Sequence, residues 1–263
     1  MVHQGLADRA VTAPCKISVI LIVLNGETTI APCLQSVSWA AEIIVVDSGS
    51  TDRTEEICTT YPGVRFFHHP WSGYGPQKNY ALSLATHEWV LSIDADEVIT
   101  PELAEEIRGA IDNNGAYVGF SFRRKNMYKQ QWVRHSGWWP DEVLRVFRKD
   151  AGRFNDRQVH ESVEVTGAVK KLAGVMEHFS YNRPEDFILK MYSYSTAGAR
   201  QMKVAGKKGG ALRAVVRTVA AFVKSYILKR GFLDGRTGLL VAVSGAIGVF
   251  YKIIMLSELN EED

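Results

Sequence analysis

The sequence predicts an α/β fold, a mostly parallel, doubly wound sheet, followed by a helical C-terminal extension that is both basic and apolar. Three observations predict it. Continuous apolar, β-branched runs at 17–24, 42–46 and 89–93 alternate with segments of helical period, the pattern of strands buried on both faces. Residues 187–233 hold ten Lys or Arg and no Asp or Glu, although the whole chain carries only +2. Beyond them, 237–256 is apolar except for Lys252.

With 263 residues, 46% hydrophobic and 23% charged, the chain is sized for one substantial core and too apolar for wholesale disorder. The expected division is a catalytic domain over 15–182 and an extension over 183–263. Cys15, Cys33 and Cys58 form no CxxC pair and read as reduced thiols. Residues 1–16 lack an apolar core of signal-peptide length, so the catalytic part is expected on the cytoplasmic side.

Each element follows in order. The strand at 17–24 is stopped by Asn25 and Gly26, and 27–39 carries Ile30, Leu34 and Val37 at helical spacing. The strand at 42–46 ends at Asp47, and Ser50 and Thr51 stand where a helix towards Tyr61 needs capping. A short strand at 64–67 and a Gly-rich turn at 72–76 lead to a helix at 77–85 and the strand at 89–93. Thr100 and Pro101 read as N-cap and first residue of a helix over 102–111. Strands are expected at 117–122, 143–147 and 159–165, and helix prevails after Pro184. In such sheets ligands bind outside the carboxyl ends of the strands, where Asn25, Asp47 and Asp94 are predicted to lie.

The chemistry concentrates in two places. Ser92-Ile93-Asp94-Ala95-Asp96-Glu97 leaves an apolar strand with two carboxylates one residue apart, able to converge on a hard divalent cation and the phosphates it bridges. An acidic turn capping the next helix would look the same. Val45-Val46-Asp47-Ser48-Gly49-Ser50 ends another strand, where Asp47 can accept from a nucleobase or ribose and small residues admit phosphate to a helix N-terminus. An Asx turn is the plainer reading of that segment.

Together with 20–27 and Gly75-Pro76-Gln77-Lys78-Asn79-Tyr80-Ala81-Leu82, these segments resemble, in order and spacing over 15–98, the family 2 glycosyltransferases of the GT-A fold. The resemblance implies a Rossmann-like domain with a nucleotide-sugar half at 15–98 and an acceptor half at 99–182. It implies donor contacts at Asn25, Glu27, Asp47, Ser48, Lys78, Asp94, Ala95 and Asp96, the last three matching the family's DxD motif. It also implies Mg²⁺ or Mn²⁺ at Asp94 and Asp96, with His160 at the position of a third ligand. Gly137-Trp138-Trp139-Pro140-Asp141, Leu144-Arg145-Val146-Phe147-Arg148 and Val159-His160-Glu161 look like a bacterial envelope subgroup that includes the lipopolysaccharide inner-core β-1,4-glucosyltransferases. That likeness implies inverting transfer of one hexose, glucose from UDP-glucose, to a lipid-linked glycan at the cytoplasmic face of the inner membrane. The QxxRW element of processive synthases is absent.

Inverting transfer needs a general base for the acceptor hydroxyl, and Asp141 and Glu161 both qualify. Trp138 and Trp139 are placed to stack on an acceptor sugar or to fill core. Arg145 and Arg148 are placed to bind phosphate or acceptor, or to line a solvated strand face. Residues 203–256 interleave cations with aliphatic and aromatic side chains, as a helix lying on an anionic membrane surface does. A helical hairpin completing the fold, or a homo-oligomer interface, fits the same pattern. Two other functions weigh less. A sugar-1-phosphate nucleotidyltransferase needs a Gly-rich basic loop where Leu24-Asn25-Gly26-Glu27 stands, and a nucleic-acid module does not call for such long aliphatic runs.

Overall fold

The computed structural model describes residues 15–155 and 162–261. Strand β1 (Cys15–Val23) is followed by α1 (Ile30–Ser36), β2 (Ala40–Asp47), α2 (Thr54–Thr59), β3 (Val64–His68), α3 (Tyr74–Leu84) and β4 (Trp89–Ser92). β3, β2, β1 and β4 lie side by side and parallel, in that order. Successive side chains of a strand face opposite ways, so each apolar run feeds two cores. Ile17, Val19 and Leu21 pack with Ile30 and Leu34 of α1, and Ile20, Ile44 and Val46 pack with Ala81 and Leu82 of α3. Burying each such aliphatic side chain is worth about 1.5–3 kcal/mol.

The second half of the sheet is mixed. After β5 (Glu97–Ile99) and α4 (Pro101–Asp112) come β6 (Tyr117–Tyr128), β7 (Gln131–Trp132), β8 (Asp141–Arg148), β9 (Gly152–Phe154), β10 (Val163–Val165) and β11 (Ala168–Tyr181). β8 inserts between β4 and β6, antiparallel to both, and β11 pairs parallel to β6 and antiparallel to β5. Apolar alternation marks a strand but not its direction, and the doubly wound expectation therefore holds for the N-terminal strands while the rest departs from parallel. Thr100 accepts from the Leu103 N–H and Pro101 opens α4, as predicted from the cap residues.

The chain ends in helices: α5 (Pro184–Val204), α6 (Ala211–Phe222) and α7 (Gly235–Glu261), with a short π-turn and a 3-10 turn joining the last two. α7 packs on both α5 and α6. Ser195 of α5 donates to the Gly248 carbonyl, and a Cβ on Gly238 would lie 1.8 Å from the Gly231 oxygen, so the second contact needs glycine. Gly231–Glu261 is long and apolar enough to cross a membrane, and only 28% of its most apolar window is buried inside the protein.

Candidate active site

The carboxyl ends of β1, β2 and β4 meet at one edge of the sheet, and the loops there interlock. The Asn25 carboxamide accepts from the Thr51 N–H (2.9 Å), Glu27 N–H donates to Asp52 (3.0 Å), and Ser48 accepts from Gln77 (3.1 Å). Asp47 is 1% exposed and accepts from the Gly49 N–H, the Ser50 N–H and the Ser50 hydroxyl. Burial alone would raise its carboxyl, but these bonds and His68 outweigh it and lower it. Asp47 therefore shapes its own loop rather than standing free for a nucleobase. Glu27 likewise accepts from the Arg53 N–H and ties the first loop to the second.

Behind these loops Asp94 and Glu97 are clamped by cations. Lys78, buried in α3, reaches Asp94 Oδ1 at 2.8 Å, and Arg145 reaches Asp94 Oδ2 at 2.7 Å and Glu97 at 2.5 Å. Arg124 pairs with Glu97 at 2.9 Å, and Glu97 also accepts from the Asp94 N–H at 2.8 Å, fixing the turn. Burial works against ionisation of Asp94, yet Arg145 and Lys78 hold its carboxyl well below the usual range. Arg145 is thus not free for an acceptor; it neutralises the acidic turn.

Asp96 faces outward, lining two adjoining cavities of about 570 and 340 Å³ together with Ile22, Ser180 and Lys190; Ala95 lines the smaller one. His178 Nε2 stands 3.4 Å from Asp96 Oδ1, Ser180 donates to Asp96 Oδ2 at 3.2 Å, and Lys190 lies 4.0 Å away. The imidazole is oriented from behind. Asn126 gives its amide hydrogens to the Trp138 carbonyl (3.3 Å) and Asp141 (3.0 Å), so its oxygen faces His178 Nδ1 at 2.7 Å. Nδ1 then carries a proton, and Nε2 faces both Asp96 and the Ser180 hydroxyl. Asp96 and a bare Nε2 can share a cation, whereas a proton on Nε2 pairs His178 directly with Asp96 and with the Ser180 hydroxyl.

A divalent metal fits this corner. The donors would be Asp96 and His178, with substrate phosphate and water completing the shell, because no group of three or more candidate ligands exists among the described residues. Asp94 has both oxygens engaged and would contribute through charge. His160 and Glu161 lie outside the described residues.

Asp141 opens β8 and is not among the residues lining the two cavities at Asp96; its Oδ2 accepts from Arg124 (2.9 Å) and Asn126, while Oδ1 accepts no hydrogen bond from the described residues. For three residues with two readings in the sequence, the structure favours the second: a solvated strand face for Arg148 and aromatic packing for Trp138 and Trp139. Arg148 pairs in register with Trp89, at the opposite end of β4 from the site, and binds Glu88 and Asp150 there. Trp138 packs on Tyr181 and Phe187, against α5, instead of lining the cleft. Trp139 meets Trp132 edge-on and lies under Arg123, also away from the acids. Sequence reasoning missed Glu97, Arg124, His178, Ser180 and Lys190. A third acid directly after Asp94-Ala95-Asp96 was a signal for Glu97; nothing local marked the others.

The sequence comparisons show the class of protein that carries this fold: a glycosyltransferase. The family model described as "Glycosyl transferase family 2" matches residues 18–173, and the chain belongs to that family. It is 30% identical over 245 residues to "Lipopolysaccharide core biosynthesis glycosyltransferase LpsC" of Rhizobium meliloti, covering 89% of each chain. It is also 30% identical over 257 residues to an uncharacterized glycosyltransferase of Rickettsia typhi, covering 93% of this chain and 88% of that one. Among solved structures, Staphylococcus aureus TarS 1-349 in complex with UDP aligns over 94% of this chain and 92% of its own, at 16% identity and TM-score 0.49. Glucosyl-3-phosphoglycerate synthase of Mycobacterium tuberculosis, in complex with Mn²⁺, UDP and phosphoglyceric acid, aligns over 77% and 82%, at 21% identity and TM-score 0.48.

Proposed function

We propose that the chain transfers a single hexose, with inversion, from a UDP-sugar (UDP-glucose on the resemblance) to a membrane-anchored glycan, and that it requires Mn²⁺ or Mg²⁺. The observation that carries this reading is the Asp96–His178 pair between the two cavities, with the imidazole tautomer set by Asn126. Imidazole among the donors favours Mn²⁺ over Mg²⁺. The relative named for lipopolysaccharide core biosynthesis supports a lipopolysaccharide core as the acceptor.

Each residue has a task in this scheme. Asp94, Asp96, Glu97 and Asp141 are offset by Lys78, Arg124, Arg145 and Lys190, so the corner is near neutral before substrate enters. A diphosphate then brings charge that the protein does not cancel. When bound, the divalent ion supplies that cancellation and Lewis-acid polarisation of the leaving group. Lys190 stands at the same edge to meet departing phosphate oxygens. Asp141, through its open Oδ1, takes the acceptor hydroxyl proton. Asn25, Ser48 and the loops they hold shape the nucleotide end. Residues 15–182 form the catalytic domain, and 183–263 hold it at the cytoplasmic face of the inner membrane through the exposed apolar sides of α6 and α7.

Thermal-shift titration with UDP and UDP-glucose, with and without Mn²⁺, tests the donor site, since a ligand bound only by the folded state raises its midpoint. The expected result is a rise with nucleotide and Mn²⁺ together that Asp96→Ala abolishes while remaining folded. An equal rise in the variant, or none in the wild type with any nucleoside diphosphate, would reject the proposal. Release of UDP from UDP-glucose on addition of purified core lipopolysaccharide then tests the acceptor.

A further inference from the structure

We infer that the chain carries a second anion pocket, outside the donor cleft, that takes a phosphate group. It lies where the loop between β7 and β8 meets the joint between α6 and α7. The cavity, about 340 Å³, is lined by Arg134, Gly137, Trp139, Leu228, Lys229 and Arg230, among others. It shares no lining residue with the two cavities at Asp96.

The pocket is built rather than incidental. The Ser136 N–H donates to the Lys229 carbonyl at 3.0 Å, and the Ser225 hydroxyl donates to the Ser136 carbonyl at 3.4 Å. Buried Asp234 accepts from the His135 N–H at 2.8 Å and meets His135 Nδ1 at 2.9 Å, joining the loop to the turn before α7. Arg230 sits at φ 54°, a left-handed conformation that a long side chain rarely adopts and that the surrounding turn imposes. Lys229 folds over the loop so closely that a Cβ on Gly137 would lie 2.5 Å from its Nζ. The Arg134 guanidinium lies 4.4 Å over the Trp132 ring.

No acidic side chain lines this cavity, and among the described residues no carboxylate pairs with Arg134, Lys229 or Arg230. The nearest acid, Asp234, is engaged by backbone and His135. Arg134, Lys229 and Arg230 are exposed, so water and salt screen much of their mutual repulsion, and a bound anion offsets what remains. Guanidinium and ammonium groups are the donors a phosphate takes, and Arg134, Lys229 and Arg230 all line this cavity beside apolar Trp139 and Leu228. Two sources present that chemistry: a phospholipid headgroup of the bilayer, or a phosphate on the membrane-anchored acceptor. The choice between them rests on the proposed membrane-facing role of the helices; the pocket itself does not.

The test uses the full chain, Arg134→Ala/Arg230→Ala, and a control, Lys207→Ala/Lys208→Ala, that removes the same charge elsewhere on the extension. Tryptophan emission is titrated with glycerol 3-phosphate. A saturable change is expected in wild type and control, weakened about tenfold or more in the pocket variant, as loss of charge-assisted bonds predicts. No saturable change in the wild type, or equal responses in all three proteins, overturns the pocket. Sedimentation with phosphatidylcholine vesicles, with and without phosphatidylglycerol, then assigns the source. Weaker binding of the pocket variant than of the control to the anionic vesicles assigns it to the bilayer. Equal binding, with the emission difference intact, assigns the phosphate to the acceptor. A wild type that responds to glycerol 3-phosphate but sediments with neither vesicle keeps the pocket and removes the membrane role of the helices.

Discussion

Glu97 has no solvent exposure and lies between Arg124 and Arg145, with its second oxygen on the Asp94 N–H. A carboxylate so placed holds the Asp94–Asp96 turn by charge and by hydrogen bond at once. Removing one partner of a buried ion pair leaves the other uncompensated, at a cost of about 3–5 kcal/mol. Glu97→Ala is therefore expected to lose stability on that scale in urea unfolding, whereas Arg148→Ala, on the far edge, should unfold and transfer like wild type. A Glu97→Ala protein as stable as wild type would remove the clamp from the account. Asn126 is argued to act through His178. Asn126→Ala should weaken Mn²⁺ affinity about 10- to 100-fold, the usual effect of losing a residue that orients a metal ligand, with little change in nucleotide-free stability. Titrating Mn²⁺ at fixed UDP measures it. At this scale the sequence showed Asp94, Asp96 and Lys78, because each borders an apolar strand or opens a helix within one local motif. His178 was illegible: it reaches Asp96 only because β11 pairs with β5 in a register that sets His178 opposite Glu97. No local pattern encodes that pairing.

Among the elements, one buried carboxylate joins three strands and a helix end. Glu42 of β2 accepts from Ser18 of β1, from the Thr86 N–H and hydroxyl after α3, and from Arg65 of β3. Burial pushes its carboxyl up, but these donors outweigh it and bring it to about 2. A carboxyl whose folded value lies below its unfolded one adds stability above the unfolded value and loses it as pH falls towards the folded one. The window here runs from the ordinary glutamate value, about 4.3, down to about 2. Urea unfolding between pH 7 and 2.5 should show wild type losing its advantage over Glu42→Gln within that window and not above it. A constant difference across the range would assign Glu42 no part in acid sensitivity. The parallel strands that Glu42 joins were readable from their apolar runs. β8, in contrast, is antiparallel between β4 and β6, and Trp138 and Trp139 before it turn towards the C-terminal helices; both follow from long-range pairing that the chain's local periodicity does not contain.

For the molecule as a whole, the charge asymmetry and the apolar surface coincide. α6 exposes Leu212, Val215, Val216 and Val219, and α7 exposes Leu239, Val243 and Ile247, on the same extension whose residues 187–233 carry ten cations and no acid. The sequence revealed both properties; which side chains remain uncovered depended on how α5, α6 and α7 pack. In the proposed docking on an anionic bilayer two attractions would act, and they respond differently to salt. Each Lys or Arg near the surface contributes about 1 kcal/mol, and concentrated salt screens that contribution. Burial of apolar side chains contributes roughly 25 cal/mol per Å² and is not weakened by salt. Chain bound to anionic vesicles should therefore stay bound through a wash in about 1 M NaCl, where the screening length is near 3 Å, and be released by detergent. Val216→Asp/Val219→Asp should convert it to a form that salt alone releases, read as the fraction left in the vesicle pellet. Complete release of the wild type by salt would make the attachment purely electrostatic, and the exposed valines would then have to face another protein surface instead of lipid.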